Sequence, residues 1–447
     1  MEFTNNTLQE LKDIWDSGEK VIVIDKFINY KQVLLKIKNL PISKYYQWID
    51  FITSTLIIVK NFLLAEIYLK TFIATKDYDS FPYEFKANIN NKLGVSYGYR
   101  GDFQKAIEYY QIVYDLGIEY NDPIILIRAS NNLGLNYMYL ERFIDSETVL
   151  NNALLQTKYI SNQADKNEWE ITLRVNLSEL LRRKEHYYQS IKEANKVLNM
   201  LDLESSLTDI ESTEIHGEIL KTLLLDNFNV NNLEGIEKVM DEMNSIVFIP
   251  NSHFGVFYYF ISHGFYEWIL NNNLEKAEKF LRFAIESMEP INAGEYIYQA
   301  QMVLAQVIVE KIQQKIISGL IIKNEVINEL EDLLNTIRIF TTSQQMYGAL
   351  GEIYLLQAEY YRCVGNLSLA YQHLSFCYVL INSHGIENLK DKYEKIEYLL
   401  DQNLSENTDI IDQNINYLSF DELLEYLKEI NKVFKVNPQM VDSRINI

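Results

Sequence analysis

The sequence predicts an all-α protein, a solenoid of helical hairpins that stack along the chain. Two observations predict this fold. One pattern of large, small and aromatic residues occurs twice at a distance of 40 residues, which is typical of a repeat architecture. In addition, the 447 residues contain only 6 prolines and 16 glycines, so few positions break a helix. Apolar residues make up 48% of the chain, which is enough for a continuous core.

The repeated pattern is clearest between residues 93 and 153. The first copy reads Leu93-Gly94-x-x-Tyr97 and then Gly101-x-Phe103-x-x-Ala106-x-x-x-Tyr110. The second copy reads Leu133-Gly134-x-x-Tyr137 and then Glu141-x-Phe143-x-x-Ser146-x-x-x-Leu150-x-x-Ala153. In each copy the residues at i, i+1 and i+4 share one helical face, and a turn and a second helix follow. Because one hairpin cannot bury its apolar face alone, we expect each hairpin to stack on its neighbours.

Weaker copies extend the pattern to about residue 377. These copies share small residues at the spacing that lets two helices approach. The third copy is Leu177-Ser178-x-x-Leu181 with Tyr187, Ser190 and Ala194, and a later copy is Trp268 with Leu274, Ala277, Leu281, Ala284 and Pro290. The last copy is Tyr361-x-x-x-Gly365-x-Leu367-x-x-Ala370-x-x-x-Leu374-x-x-Cys377. Residues 214–240 are helical in pattern but irregular. Residues 311–340 are interpreted as a helical run inserted before the last hairpin.

The pattern divides the chain into four predicted segments. Residues 1–80 form a helical N-terminal region without the repeat, and residues 81–400 form the solenoid. Within the first segment, the apolar run 48–69 is interrupted by Asp50, Lys60 and Glu66, so we expect a buried helical pair and no membrane span. Residues 401–416 are polar and aperiodic, which predicts a linker before a helix and tail at residues 417–447.

The C-terminal segment begins with Ser419-x-x-Glu422, a plausible capping box. The helix that it opens has one apolar side, made of Leu423, Leu424, Leu427, Ile430, Val433 and Phe434. We expect this helix to cap the last repeat of the solenoid, and the alternative is a helix that docks on a partner.

The net charge is -21, from 41 basic and 62 acidic side chains. Such a surface repels phosphate backbones, so we expect no direct nucleic-acid partner and no membrane partner. Residues 1–19 lack the basic and then apolar order of a signal peptide. The two cysteines, Cys363 and Cys377, form neither a disulfide framework nor a zinc spacing. Together these features predict a protein of the reducing cytoplasm.

The sequence offers little to a catalytic mechanism. Its six histidines show no H-E-x-x-H spacing, and no phosphate-binding glycine loop or nucleophile elbow occurs. His253 and His263 lie in an aromatic stretch, where a packed histidine is expected before a metal ligand. We therefore predict no catalytic residue, no metal site and no cofactor.

The repeated pattern resembles the tetratricopeptide (TPR) repeat, whose signature is W-x2-L-G-x2-Y…A-x3-F…P. The resemblance implies a right-handed helical solenoid in which the first helix of each hairpin lines a groove. The residues beside the packed face would then contact a ligand; they are Arg128, Asn132, Leu135 and Tyr139 in the second copy, and Asn176, Glu179, Arg182 and Arg183 in the third.

Two residue types among these candidates suit a peptide ligand. An asparagine amide both donates and accepts, so Asn132 and Asn176, each one residue before the repeat leucine, are expected to pair with an extended peptide backbone. The arginines are suited to a carboxylate. The alternatives stay open that the asparagines are simply solvated and that the arginines pair with neighbouring glutamates.

A second resemblance concerns the N-terminal region. Tyr45-Tyr46-Gln47-Trp48-Ile49-Asp50-Phe51 is similar to the Tyr-Tyr-x-Leu-Leu-(Asp/Glu)-Phe element of the Rap family, and Arg128-x-x-x-Asn132-Leu133-Gly134-x-x-Tyr137 is similar to the Arg-x-x-x-Asn-Ile-Gly helix of that family. Rap proteins are bacterial regulators in which a helical bundle precedes a TPR domain. Members dephosphorylate or sequester response regulators, and a secreted signalling peptide bound in the groove switches them.

The sequence departs from that family at the catalytic position. The phosphatases of the family carry a glutamine a few residues before the tyrosine pair, where this chain reads Leu40-Pro41-Ile42-Ser43-Lys44, and Gln47 lies on the other side of the pair. We therefore expect a cytoplasmic regulatory TPR protein that binds a protein partner or a short signalling peptide without catalysis. A Rap-like phosphatase and a passive scaffold subunit are the alternatives, and a homodimer is compatible with each.

Overall fold

The computed structural model describes residues 5–16, 20–59, 61–74, 78–201, 209–245, 252–291, 293–384, 386 and 389–406. Within these ranges all regular structure is helical, which confirms the all-α prediction. The predicted C-terminal helix at residues 417–447 lies outside the described residues. The predicted linker at residues 401–416 is only partly described. Its first six residues belong to the last described helix, and residues 407–416 lie outside the described residues.

Five α-helices precede the first repeat, and the repeats follow in pairs. The first ten helices are α1 (Asn5–Asp16), α2 (Lys20–Ile28), α3 (Tyr30–Ile37), α4 (Ile42–Ile58), α5 (Phe62–Ile73), α6 (Tyr83–Tyr99), α7 (Phe103–Glu119), α8 (Pro123–Tyr139), α9 (Phe143–Gln156) and α10 (Gln163–Arg183). The remaining helices are α11 (Tyr187–Leu201), α12 (Asp209–Asn229), α13 (Leu233–Ser245), α14 (His253–Ile269), α15 (Leu274–Met288), α16 (Gly294–Ile317), α17 (Asn324–Ser343), α18 (Tyr347–Cys363), α19 (Leu367–His384) and α20 (Lys390–Glu406).

Consecutive helices pack as hairpins, and the chain divides into two compact units. The first unit comprises Met1–Tyr258 and Glu286–Glu295, and the second comprises Tyr259–Ile285 and Tyr296–Ile447. In the first unit α6 packs on α7, α8 on α9, α10 on α11 and α12 on α13, and in the second unit α18 packs on α19. Four of these five hairpins are those that the repeat predicts, and α12–α13 is the exception.

Close approach within each hairpin follows the predicted register. An added Cβ at Gly134 would lie 2.6 Å from Leu150 Cγ on the paired helix, and one at Gly94 would collide with the Tyr110 ring. In the third hairpin the same two positions are Ser178 and Ala194, both fully buried. In the first two hairpins a glycine on one helix therefore meets a large residue on its partner, and in the third hairpin both positions are small.

The turns between paired helices share one geometry. Gly101, Glu141 and Glu185 each come eight residues after the repeat leucine and have positive φ angles of 82°, 60° and 61°. At Glu185 the backbone N–H donates to Arg182 O at 2.9 Å, and the next N–H, of His186, donates to Leu181 O at 2.9 Å. This is the Schellman arrangement, which satisfies the last carbonyls of the first helix.

Two irregular segments of the sequence are regular in the structure. Residues 214–240 belong to the α12–α13 hairpin, and the run that was expected to be one insertion at 311–340 is split between α16 and α17. The single-insertion interpretation is wrong because Gly319, with a φ of 68°, ends α16 in the same left-handed turn.

The N-terminal region contains the expected buried helical pair, α4 and α5. Pro41 lies directly before α4 and Pro82 directly before α6, where a missing N–H costs no helical hydrogen bond. Both tyrosines of the Tyr45-Tyr46 pair are buried. Tyr46 stacks on Phe85 of α6 with ring centroids 3.9 Å apart, so the pair fixes α4 against the first repeat. No helix among the described residues is long and apolar enough to cross a membrane.

Candidate functional site

The first helices of successive hairpins, α6, α8, α10 and α12, lie side by side in the first unit. Their residues can be compared by distance from the repeat leucines Leu93, Leu133 and Leu177. Every candidate residue of the sequence analysis lies on α8 or α10. The packing thus brings the candidates together on two neighbouring helices.

The position one residue before the repeat leucine donates a hydrogen bond to the preceding helix in all three hairpins. Asn176 Nδ2 donates to Asn131 Oδ1 on α8 at 2.8 Å, and Asn132 Nδ2 donates to Asn91 Oδ1 on α6 at 2.9 Å. Lys92 holds this position in the first hairpin, and its Nζ donates to Asp50 Oδ1 on α4 at 2.6 Å. We call these three contacts the ladder.

The ladder changes the interpretation of Asn132 and Asn176. Each of these two asparagines donates a side-chain amide N–H to the neighbouring hairpin. Asn176 is almost fully buried, which leaves it no exposed edge for a ligand. Asn132 is half-buried, and its side-chain oxygen Oδ1 accepts no hydrogen bond from the described residues. Only Asn132 therefore keeps an acceptor for a peptide.

A half-buried stripe runs along α8 beside the ladder. Its members are Arg128, Asn132, Leu135 and Tyr139. The last three follow Arg128 by four, seven and eleven residues, so all four share one helical face. Leu135 packs on the core cluster between α8, α9 and α10. The ring of Tyr139 lies 4.9 Å from that of Phe103 and beneath the guanidinium of Arg183, whose Cζ is 5.5 Å from the ring centre. The stripe combines a cation, an amide and two apolar surfaces.

Arg128 is the member of the stripe with no partner. Its guanidinium makes no hydrogen bond and no salt bridge with any described residue, and the Nε atom is covered without an acceptor. Burial lowers the pKa of Arg128, while Asp122 and Tyr46 raise it. Because a covered donor without a partner costs free energy, this arrangement needs an explanation beyond packing.

Glu179, Arg182 and Arg183 form a closed ion network on α10. Arg182 Nη2 and Arg183 Nε donate to Glu179 Oε1 at 2.6 and 2.9 Å, and Lys221 Nζ of α12 lies 3.9 Å from Glu179 Oε2. Burial alone would raise the pKa of Glu179, but the adjacent cations outweigh it and hold that pKa well below its ordinary value. Arg182 and Arg183 therefore pair with a neighbouring glutamate, which was the alternative to a ligand contact.

Sequence reasoning missed three charged residues in the same region. Lys221 and Asp226 of α12 and Glu295 of α16 are almost fully buried. Arg183 Nη2 lies 3.8 Å from Glu295 Oε1, and burial raises the pKa of Asp226 to about 7. The only available signal was a charged residue inside an apolar helical stretch. That signal is weak because the partners are 42 to 112 residues away from Arg183 and Glu179 in sequence.

His263 and Cys377 have packing roles in the structure. The ring of His263 stacks on Phe280 with centroids 5.1 Å apart, and burial lowers its pKa. Cys377 is fully buried, as its place in the pattern predicts, and burial raises the pKa of its thiol to about 12. Among the described residues, no group of histidine, cysteine or carboxylate side chains is placed to hold a metal ion.

No family model matches the sequence, and no curated protein matches it. Among solved structures, the apo form of RapI is similar at 13% sequence identity and a TM-score of 0.47, over 64% of this chain and 97% of that chain. A circular tandem repeat protein with a novel repeat topology matches at 15% identity and a TM-score of 0.21, over 87% of this chain and 95% of that chain. A structure of Naa15/Naa10 bound to HypK-THB matches at 11% identity and a TM-score of 0.20, over 96% of this chain and 80% of that chain. The helices, turns and contacts of the chain itself identify it as a repeat of TPR-type helical hairpins.

Proposed function

We propose that this chain is a cytoplasmic regulatory protein that binds an extended peptide segment across α6, α8 and α10, without catalysis. The segment is either a short signalling peptide or part of a partner protein. The observation that carries the proposal is the half-buried stripe Arg128, Asn132, Leu135 and Tyr139, which lies between two flanking first helices. Helical repeats commonly use such faces for binding.

The chemistry of the stripe suits an extended backbone. The free oxygen of Asn132 can accept a peptide N–H, while Leu135 and Tyr139 offer apolar surface to alternate side chains. The motif Arg128-x-x-x-Asn132-Leu133-Gly134, which resembles the Rap repeat helix, contains two of these four residues. A regulator switched by a peptide therefore fits this face better than a passive scaffold does.

The proposal is tested by selecting peptides from a displayed random library on the purified chain and measuring their affinity by calorimetry. Asn132→Ala should weaken the selected peptides by about 1–3 kcal/mol, roughly tenfold to a hundredfold. The control is Asn152→Ala, because Asn152 is an exposed asparagine on the second helix α9.

A second control separates binding from stability, since Asn132→Ala also removes a rung of the ladder. Asn91→Ala breaks the same hydrogen bond from the other side. Both variants should lose about 1 kcal/mol of unfolding free energy. If the two variants also bound peptide equally well, Asn132 would belong to the scaffold alone, and a library that yields no binder would contradict the proposal.

A further inference from the structure

Arg128 combines features that a structural arginine in this protein does not show. Its Nε atom is covered and has no acceptor. By contrast Arg100, Arg142, Arg174, Arg182, Arg183, Arg282 and Arg362 each contact a carboxylate in a salt bridge. An arginine left without a partner in a chain of net charge -21 is therefore not explained by a shortage of carboxylates.

The nearest carboxylates are held by other groups. Asp122 caps α8, accepting from the backbone N–H of Ile124 at 3.0 Å and of Ile125 at 3.1 Å. Asp50 accepts from Lys92 Nζ and from Asn88 Nδ2, each at 2.6 Å. The positive charge of Arg128 therefore has no carboxylate bonded to it, although Asp122 acts on it through space.

A second cation lies close to Arg128. Lys92 is buried, and its pKa is lowered first by that burial and further by the charge of Arg128, against the attraction of Asp50. Asp50 is paired with Lys92, and Asp122 acts on Arg128 without a salt bridge. The charge of Arg128 therefore has no bonded counterion among the described residues.

The covered Nε and the adjacent Nη of an arginine form a fork that receives two oxygens side by side. Here the Nε side of the fork is already covered, and Arg128 lies one helical turn from the free side-chain oxygen of Asn132. A carboxylate would satisfy both the charge and the orphaned donor. A peptide carbonyl oxygen accepts from the orphaned Nε–H but is neutral, so it would leave the charge of Arg128 unpaired.

We propose that Arg128 anchors a carboxylate of the bound peptide, either the side chain of an acidic residue or the C-terminal carboxylate. This inference rests on the proposed function, since it names the chemistry of the ligand on the same face. Asn132 then accepts a backbone N–H one turn further along α8. The peptide is fixed at one end by charge and along its length by hydrogen bonding.

The first experiment needs no peptide and measures thermal unfolding of the unliganded chain. Arg128→Met keeps the length of the side chain and removes a desolvated, unpaired charge, so it should raise the melting temperature. Arg100→Met is the matched control, because Arg100 is paired with Glu66 and its loss should lower the melting temperature. A fall in melting temperature for Arg128→Met, equal to that for Arg100→Met, would assign Arg128 to structure and overturn the inference.

The second experiment uses acetate as the probe at constant ionic strength, with chloride as the balancing anion. The arginine Nε–H signals are followed by nitrogen-15 NMR, and the signal absent in Arg128→Met identifies Arg128. Acetate should shift that signal saturably and leave the signal of Arg142, which is already paired with Asp145, in place. No shift at Arg128, or an equal shift at both arginines, would contradict a carboxylate site.

Selected peptides then identify the source of the carboxylate. Each peptide is compared with one variant in which an acidic residue is changed to its amide and with one whose C-terminus is amidated. One of the two changes should weaken the binding of the peptide to the native chain at least tenfold. The same change should not weaken the binding of the peptide to Arg128→Met. If peptides bind Arg128→Met as tightly as the native chain, the anchor is wrong but the binding function stands. If acetate binds and the library yields no peptide, the proposed function fails and the carboxylate site stands.

Discussion

Asp226 shows how one side chain can set the pH response of a buried network. It is fully buried on α12, and neither carboxylate oxygen has a hydrogen-bond partner, because the hydroxyl of Ser190 donates to Ser178 O at 2.7 Å. Burial raises the pKa of Asp226 to about 7, although Arg182 and Lys221 favour its charged form. The folded protein therefore holds a proton on Asp226 that the unfolded chain releases at lower pH.

We expect the stability from Asp226 to fall as the pH rises from about 4 to about 7. The pKa is 3.8 in the unfolded reference and about 7 in the folded chain, so the native state binds more protons throughout this window. Asp226→Asn should gain stability relative to the native protein at pH 8 and show little difference at pH 4. The measurement is urea unfolding at several pH values, and a difference independent of pH would refute the assignment.

Single residues also show where sequence reasoning stopped. The equivalence of Asn132 and Asn176 could be predicted, because both precede the repeat leucine by one residue. Their partners Asn91 and Asn131 are also equivalent, each two residues before a repeat leucine, but the pairing across 41 and 45 residues could not be predicted because it depends on how the hairpins pack. The lone Arg128 was likewise one of several candidate arginines. Only the packing shows which arginines are paired.

At the scale of the element, the three hairpins from α6 to α11 each have a small residue on the first helix and a corresponding residue sixteen positions later on the second. The pairs are Gly94 with Tyr110, Gly134 with Leu150 and Ser178 with Ala194. A Cβ added at Gly134 would lie 2.6 Å from Leu150 Cγ. The first two hairpins therefore pair a glycine with a large residue, and the third has a small residue at both positions.

This pairing predicts a compensated double substitution. Gly134→Leu should destabilise the second hairpin by about 1–3 kcal/mol or more, and Gly134→Ser by a smaller amount, because both overpack the contact. Gly134→Ser combined with Leu150→Ala reproduces the pair of the third hairpin and should recover much of the loss. The same glycine change combined with Thr148→Ala, on the exposed side of α9, serves as control. Additive effects in thermal unfolding of both double variants would show that the register is wrong.

A turn prediction follows from Glu185, which is exposed and has a φ of 61° at the position where the first hairpin has Gly101. A side chain in the left-handed region costs about 1 kcal/mol, so Glu185→Gly should stabilise the protein by about that amount. The control Glu108→Gly places glycine within the exposed side of α7 and should destabilise by about 1 kcal/mol. Equal losses in the two variants would contradict the role assigned to the turn.

The elements themselves were more predictable than their contacts. The repeat pattern located the hairpins from α6 to α11, because a small residue, an aromatic residue and a turn recur in fixed order. It did not resolve α12 and α13, where Ile219, Leu220, Leu223 and Leu224 pack without the repeat signature. Periodicity alone identifies a helix there, whereas its partner is set by packing that lacks a sequence pattern.

For the molecule as a whole, the prediction is binding without turnover. Gln47 lies exposed on α4 beside the buried Tyr45 and Tyr46, and it makes no hydrogen bond. Because the position before the tyrosine pair is not a glutamine, the purified chain should leave phosphorylated response regulators unchanged. Regulators labelled on their aspartyl phosphate provide the measurement. Loss of label that Gln47→Ala abolishes would establish the phosphatase alternative.

The ladder joins α8 to the first helix on each side of it. Asn132 connects α8 to α6 on one side, and Asn131 connects it to α10 on the other. The next contact of the ladder beyond α6 is that of Lys92 with Asp50 on α4. The proposed ligand face and the N-terminal helices are therefore joined by one continuous series of side-chain contacts.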